Sequence, residues 1–544
     1  MTNILLTILL LILLVMFLAP PVFLVYLYIY DRRQTQHSVL RNYPLLGRIR
    51  YFLEMIGPEM RQYMFDADND GKPFSRADFQ NIVLAGKYLK TLIAFGSKRD
   101  FEQPGFYIRN SMFPKQNEEM HIALAPLVTT KRYVGKESLF SRVEHLEDVP
   151  VRPWTLPDNE CLVIGPTCRQ PWRVAGVVGM SAMSYGALGK NAISAISRGL
   201  GLATGAWVNT GEGGLAPYHL LGGGDVIMEL GSGIFGVRDK DGNWDWNKFK
   251  ELAANPQIKM FELKLAQGAK IRGGHVEGSK VTPEIAAIRG VEPWKSVDSP
   301  NRHKQWHDVP SMMAHIERMR QEGGKPVGIK VVMGSHDAAD EICRYMAEQG
   351  KGPDTITVDG GEGGSGATYQ EMADTMGLPV KSGILYLDNA LRRFGVRDRV
   401  KVFASGKLFS PDRVAIAIGM GADMVNIARG LMISVGCIGA MKCHTNKCPV
   451  GVATTDPEHQ KALVIDEKQW RVLNYIVTLR SGLNSLAAAA GLDCYTKFRR
   501  EHIIYRDLYG RIYSLAELFP YPTVGAPSQF ASPMLRMDGA LNTK

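Results

Sequence analysis

Cys437, Cys443 and Cys448 follow one another as C-x5-C-x4-C, with Pro449 and Gly451 just behind. Six residues rotate a helical side chain through about 240°. Cys437 and Cys443 therefore cannot share one straight helix face, and the spacing predicts a helix end between them, near Gly439. The loop HTNKCPVG then folds the third thiol back. Three converging thiolates suit an iron–sulfur centre, and Cys-Pro is a frequent ending of such runs. Structural zinc with His444 as a fourth ligand, or three buried inert thiols, is compatible with the same spacing.

Two small-residue loops precede the cysteines. Ser405-Gly406-Lys407 follows a strand Val402–Ala404 and leads to a helix near Asp412–Gly419. Ala428-Arg429-Gly430 closes a strand Asp423–Ala428 and opens a helix near Leu431. Backbone N–H groups at the start of a helix suit a phosphate. Elsewhere, chemistry-bearing residues also fall at the ends of apolar runs. Met180-Ser181 ends one, Gly211-Glu212-Gly213-Gly214 another, and Lys264, Gln267 and Lys270 follow a third. Lys330 lies within GIKVVM, where an ammonium is costly unless it meets an anion. Gly360 to Gly366, with Gly361, Glu362 and Gly363, gives five glycines in seven residues and close backbone approach for a planar or anionic ligand. Arg289, in TPEIAAIRG, can bind a carboxylate bidentately.

These residues need a scaffold that gathers strand ends. Eight candidate strands alternate with helices: Val174–Met180, Ala206–Thr210, Met228–Phe235, Lys259–Leu263, Val327–Val332, Thr355–Asp359, Val402–Ala404 and Asp423–Ala428. Helical patterns lie at Lys190–Leu202, Ser311–Gln321, Asp337–Gln349 and Asp412–Gly419. The βα order predicts an α/β fold, a (β/α)8 TIM barrel, whose sites gather at the carboxyl ends of the strands. In that fold the loops after strands seven and eight are the usual phosphate site.

The flanks divide the chain further. Ile4 to Tyr30 is 27 residues without a charge, more than the ~20 that span a bilayer. No basic segment precedes it and no small-residue cleavage site follows. It reads as an N-terminal transmembrane helix, residues 1–31, rather than a signal peptide. Arg32, Arg33, Arg41, Arg48 and Arg50 follow it, which puts the rest on the cytoplasmic side of the cell membrane. Residues 32–150 form an extension with several short helical patches. Within it, Asp66 to Gly71 imitates a calcium loop but carries Ala77 at the twelfth position, so it reads as a turn. The barrel occupies 151–457, and 458–544 is a segment, helical at first, that packs on it. The flanking segments are expected to be mostly helical.

The formal net charge is +10, yet no aromatic-interleaved basic motif accompanies it, which argues against nucleic acid. An anionic cofactor and a membrane surface account for the charge. Only seven cysteines occur, with no disulfide framework, as suits a reducing compartment.

With GEGG at Gly211–Gly214, AQGAK at Ala266–Lys270, KVTPEIAAIRG at Lys280–Gly290 and the cysteine run, the stretch from Arg173 to Pro457 resembles the central FMN domain of glutamate synthase. The resemblance implies FMN, held by Met180, Ser181, Gly211, Gln267, Lys330, Gly361, Glu362, Gly363, Ser405, Gly406, Lys407, Ala428, Arg429 and Gly430. It also implies a [3Fe-4S] cluster on Cys437, Cys443 and Cys448. By the same resemblance, electrons pass from the cluster to FMN and a hydride reduces the imine of 2-oxoglutarate and ammonia to glutamate. Arg289 would hold a carboxylate, Lys330 would stabilise reduced flavin, and Glu212 would order its loop. Glu362 replaces the family's usual Asp, His275 a glutamine, and Lys407 a glycine of the phosphate turn.

Family members begin with a glutamine-hydrolysing domain and its cysteine nucleophile; here no cysteine precedes Cys161. Ammonia is therefore expected free or from a separate glutaminase subunit. No strand–GxGxxG–helix fingerprint is evident, so ferredoxin or a separate reductase subunit is the expected electron donor. Two other readings keep the cofactors: reduction of a different imine, as in N-methylglutamate synthesis, and a membrane-bound electron relay that makes no small product.

Overall fold

A computed structural model of the chain describes residues 2–90, 92–124, 126–134, 145–268, 270–271 and 273–528. Parts of the predicted 32–150 and 458–544 segments, and Ala269 within AQGAK, lie outside the described residues. The chain divides into two compact units, Met1–Gln80 and Asn81–Lys544.

In the first unit, helix α1 (Thr2–Arg33) runs through Pro20 and Pro21 without a break. Its most apolar window of 18 residues has a mean hydropathy of 3.0, and none of that window is buried. Among the described residues it is the one helix long and apolar enough to cross a membrane. Its end is pinned by Asp31, whose buried carboxylate accepts from Arg48 Nη2 at 2.6 Å and from the Leu45 N–H at 3.0 Å. Asp31 therefore serves the fold of this unit, although its position in the sequence placed it with the apolar run.

The second unit is built on eight parallel strands, labelled in chain order: β1 (Val178–Met180), β2 (Trp207–Asn209), β3 (Asp225–Leu230), β4 (Ile258–Lys264), β5 (Val327–Val331), β6 (Thr355–Asp359), β7 (Lys401–Ser405) and β8 (Met424–Ile427). Their order in the sheet is β1-β8-β7-β6-β5-β4-β3-β2. Every neighbouring pair is parallel. The ring is nearly closed, as the βα alternation predicts. At the seam, β1 and β2 meet through side chains: a Cβ on Gly179 would lie 2.3 Å from the Trp207 ring. Trp207 Nε1 donates to Asn426 Oδ1 of β8 at 2.8 Å.

Strand side chains alternate in direction, and here the alternation sorts the strands into two layers by chemistry. Trp207, Ile227, Met260, Phe403 and Met424 form one buried apolar cluster. Two residues further along the same strands stand Asn209, Glu229, Glu262, Ser405 and Asn426, all buried and all polar. The apolar end is plugged by an antiparallel hairpin, Leu162–Ile164 with Trp172–Val174. Trp172 meets Trp207 edge to face at 5.9 Å. Burying that layer fixes the barrel, and the polar layer faces the carboxyl-end mouth.

Two strands depart from the sequence expectation by more than a residue at an end. The run Val174–Met180 is broken, because Val174 belongs to the plug and Gly176 crosses so near Gly205 that a Cβ would lie 2.4 Å from its carbonyl oxygen. The third strand ends at Leu230 instead of Phe235. Gly231 turns the chain there, with the Ile234 N–H donating to its carbonyl at 2.9 Å.

The flanks are less uniformly helical than composition suggests. Val128–Val134 pairs with His145–Val151, and Gly105–Ile108 joins Ile503–Arg506 and Ile512–Ser514 in a three-stranded sheet. The long helix Ile465–Ala489 joins these additions to the barrel. Its buried Asn474 donates to Gly86 O and Lys131 O at 2.9 and 2.7 Å. Its buried Arg480 donates to the carbonyls of Pro153, Ala203 and Thr204.

Candidate active site

Glu212 stands in the loop after β2, and Lys264 ends β4. Lys264 Nζ donates to Glu212 Oε1 at 2.7 Å. The loop can lie this close because Gly211 has a φ of +63° and a Cβ on it would come within 2.6 Å of the Ser184 nitrogen. Burial pushes the Glu212 carboxyl up, but Lys264, Lys270 and Arg289 outweigh it and hold its pKa at about 2. Burial and Lys264 bring Lys270 down to about 8. Arg289 is pushed down by burial and pulled back by Glu212. Its Nη2 donates to Tyr185 O at 3.2 Å, while its buried Nε has no hydrogen-bond partner among the described residues. Arg289 ends the helix Pro283–Arg289, whose first turn is capped by Thr282. Glu284 on the same helix accepts from Tyr185 and Tyr218, at 2.5 and 2.8 Å. Three buried cations thus stand around one half-buried carboxylate.

The polar layer beneath is the second part of the site. Lys330 Nζ lies 3.2 Å from Glu229 Oε2 and 3.6 Å from Asp359 Oδ2. Burial would lower the Lys330 pKa, but Glu229, Asp359 and Glu262 raise it above its usual value. Glu262 accepts from Asn209 Nδ2 at 2.9 Å and Thr357 Oγ1 at 2.5 Å. The anion that makes an ammonium tolerable in a strand is thus already present, supplied by the barrel itself.

The glycine loops form the opposite rim. Gln267 Nε2 donates to Gly364 O at 2.7 Å, and the Gly268 N–H donates to Asp359 Oδ2 at 3.1 Å. Glu362 accepts from the Val380 N–H at the start of the helix Val380–Arg393, and burial raises its pKa. Arg429 Nη2 donates to Glu362 O at 2.7 Å, which joins the loop after β8 to the loop after β6. Ser181 and Ser405, at the ends of β1 and β7, bring their hydroxyls within 3.2 Å. Next to them, Gly406 has a φ of +141° and Lys407 a φ of +51°, the region where the replaced glycine would cost nothing. Met180 is fully buried, and Gly361 donates its N–H to Leu378 O at 2.9 Å. Gly363 donates to Gly360 O at 2.8 Å. Gly430 packs on Tyr475, whose hydroxyl would lie 2.5 Å from an added Cβ. Ala428 accepts from the Met432 N–H. All the strand-end residues named from the sequence therefore lie at one end of one barrel.

The cysteine loop departs from expectation at its start. The helix Arg429–Ser434 ends before Cys437, not near Gly439. Gly436, at φ +116°, reverses the chain; its N–H donates to Ile433 O and the Cys437 N–H to Met432 O. This is the paired ending that glycine permits after a helix. The thiols feel one another: burial, and then Cys443 and Cys448, push Cys437 up to about 11. Lys280 faces Cys443 and Cys448. Its buried Nζ donates to Ala187 O, Cys443 O and Ala453 O at 2.8, 3.1 and 3.2 Å. Among the described residues no three His, Cys, Asp or Glu side chains stand close enough together to hold a metal ion.

Sequence reasoning assigned no role to Glu229, Glu262, Asp359 or Lys280. A signal existed for Glu229 and Glu262, acids set among apolar neighbours in IMEL and MFEL, whereas Asp359 merely ends the strand TITVD. Lys280 had no such signal, because its partners are carbonyls of distant loops.

A ring of parallel strands with its ionisable residues at the carboxyl ends has the build of a barrel enzyme. Residues 116–493 match the family described as the conserved region in glutamate synthase, and the chain belongs to that family, as an oxidoreductase of the glutamate synthase type. It is 52% identical to the glutamate synthase large subunit-like protein YerD of Bacillus subtilis, over 92% of this chain and 95% of that one. It is 32% identical to an archaeal glutamate synthase [NADPH] of Methanocaldococcus jannaschii, over 58% of this chain and 59% of the relative. An archaeal-type glutamate synthase [NADPH] of Thermotoga maritima is 26% identical over 84% of this chain and 86% of its own length.

Proposed function

We propose that the chain uses bound FMN to reduce the imine of 2-oxoglutarate and ammonia to glutamate, with electrons from an external donor. The observation that carries this reading is the charge balance at the mouth. On the mouth side, Lys264, Lys270 and Arg289 gather around Glu212, three cations to one carboxylate, with Asp298 also acting on Lys270. A dicarboxylate is a ligand that suits that set, and the buried Nε of Arg289 is a donor for it.

An anionic planar cofactor also suits the rim. Gly211, Gly268, Gly360 and Gly363 let the strand-end loops pack closely around the mouth; a Cβ on Gly268 would lie 1.9 Å from Gly360 O. Ser405–Lys407 and Ala428–Gly430 would take the phosphate, and Met180, Ser181, Gln267, Gly361 and Glu362 would line the ring. Lys330 would stand below it. When bound, FMN supplies the hydride. The chain's own residues bind the acid through Arg289 and the two lysines, and Glu212 fixes Lys264 for that contact.

Cys437, Cys443 and Cys448 would hold a [3Fe-4S] cluster. The Lys280 ammonium that faces them suits a negatively charged thiolate centre. Ferredoxin or a separate reductase would supply electrons, and the NADPH in the names of the archaeal-type relatives makes a nicotinamide-dependent partner a direct test. Helix α1 would anchor the chain in the cell membrane, with the barrel on the cytoplasmic side. Ammonia would arrive free or from a glutaminase subunit.

One observation favours variation in the amine or the acid. His275, which stands where the family carries glutamine, is held by Asp298 at 2.8 Å and Glu277 at 3.2 Å. The test is anaerobic turnover of the FMN-loaded chain with an artificial reductant and a panel of amines and keto acids, the products being identified by mass. Glutamate is expected from 2-oxoglutarate and ammonia, and Arg289→Gln should weaken 2-oxoglutarate binding about 10- to 100-fold. N-methylglutamate from methylamine alone would name the other imine reduction. Flavin reduction with no product from any pair would leave an electron relay.

A further inference from the structure

The polar layer of the barrel gathers three carboxyl groups around one ammonium. Glu229, Glu262 and Asp359 are all at most 4% exposed, and Lys330 is the one ammonium among them. The next cation, Lys264, bonds Glu212 and acts on Glu229 from the edge of the layer. If all three acids are ionised, three carboxylates share one ammonium within the layer, in a medium where charge is expensive. A proton on one carboxyl is the cheapest relief.

The hydrogen bonds say which one. Glu262 accepts two, from Asn209 and Thr357. Asp359 accepts from the Gly268 N–H and lies near Lys330. For the Glu229 carboxylate, the described residues supply Lys330 alone. Bonds to the charged form are what keep a carboxyl ionised, so Glu229 holds its charge least firmly.

We propose that Glu229 is a redox-linked proton acceptor: it takes one proton from bulk water when negative charge arrives at the mouth beside Lys330, and returns it when that charge leaves. This rests on the reading of the mouth as the flavin site. The electrons come from the external donor, the proton comes from water, and Glu229 forms no bond to substrate. New negative charge above the layer repels the Glu229 carboxylate and draws on the Lys330 ammonium that holds it, and both effects favour the neutral acid. The groups that face Glu229 are Lys330 on β5, Lys264 and Glu262 on β4, and Glu212 after β2. Burial, with Glu262 and Glu212 adding to it against the two lysines, brings Glu229 up to about 7, where a modest change of field moves a proton.

Glu229 is thus a positioning residue for charge and has no contact with the reacting atoms. Its readout is spectroscopic. Reduced-minus-oxidised infrared spectra of the FMN-loaded chain should show a carboxylic-acid carbonyl band that shifts in heavy water and is absent in Glu229→Gln. In that variant the flavin midpoint potential should lose part of its pH dependence around pH 7. A band that persists in Glu229→Gln, or is absent from the wild type, overturns the proposal. If the wild type takes up no flavin, the reading of the mouth fails instead. Infrared pH-difference spectra of the flavin-free chain then decide on Glu229, which must titrate near neutrality. Should Glu229→Gln fold poorly, Glu229→Asp, which keeps the acid one methylene shorter, must shift the band rather than abolish it.

Discussion

Lys264 and Glu212 meet at 2.7 Å and join the end of β4 to the loop after β2. Because the folded pKa of Glu212, about 2, lies below its ordinary 4.5, the stability it contributes is present above pH 4.5 and is lost as pH falls through about 2. Its size is roughly 3 kcal/mol. In urea titrations, the stability gap between wild type and Glu212→Gln should hold steady from neutrality down to that upper value, then close. A gap independent of pH would mean the carboxylate is not ionised in the fold.

Lys330→Met removes the one ammonium in the polar layer. Glu229, Glu262 and Asp359 then lose their nearest counter-charge, which should cost about 3–5 kcal/mol. The reduced flavin should also lose support, so its potential should fall. Adding Glu229→Gln to Lys330→Met should recover a large share of the stability. Equal losses in the single and double variants would separate Lys330 from Glu229.

Cys448→Ala should abolish the iron content and the paramagnetic signal of the oxidised centre, with flavin partly retained. The proposed phosphate loops, Ser405–Lys407 and Ala428–Gly430, lie outside the cysteine run. Elemental analysis and electron paramagnetic resonance of anaerobically purified protein decide it. Stoichiometric zinc with no iron would leave a structural metal site in place of an electron carrier.

Deletion of residues 1–30 should release the protein from membranes and leave flavin binding intact. The cut must spare Asp31, because its carboxylate holds Arg48 and Leu45. Removing Asp31 as well should cost the small unit about 1 kcal/mol, the Arg48 side being partly exposed. Membrane fractionation and flavin absorbance check both forms.

The barrel was legible because strands and helices alternate. The mouth was legible because its residues sit where strands end: Glu212, Lys264, Gln267, Lys270, Glu362 and Arg429 all reach it. Arg289 reaches it from a helix with ordinary cap signals, Thr282 before and Gly290 after. Pairing was not legible. Lys330 asks for an anion in any apolar strand, and only the register of β3, β4 and β6 shows that Glu229 and Asp359 provide one. The early helix end at Ser434 depended on reading Gly436 as a reversal, a signal present in the sequence but outweighed by the cysteine spacing. Lys280 was silent because backbone carbonyls carry no sequence mark.

The seam between β1 and β2 is closed by the Trp207 ring lying on Gly179, while β4, β5 and β6 are held on both edges by parallel hydrogen-bond ladders. Local opening follows the weaker join, so amide hydrogens along β1 and β2 should exchange with solvent sooner than those of β4 to β6. The loops that leave these two strands carry Ser181 and Gly211. A ligand resting on both loops should then slow exchange along β1 and β2, in strands that lie behind the residues it touches.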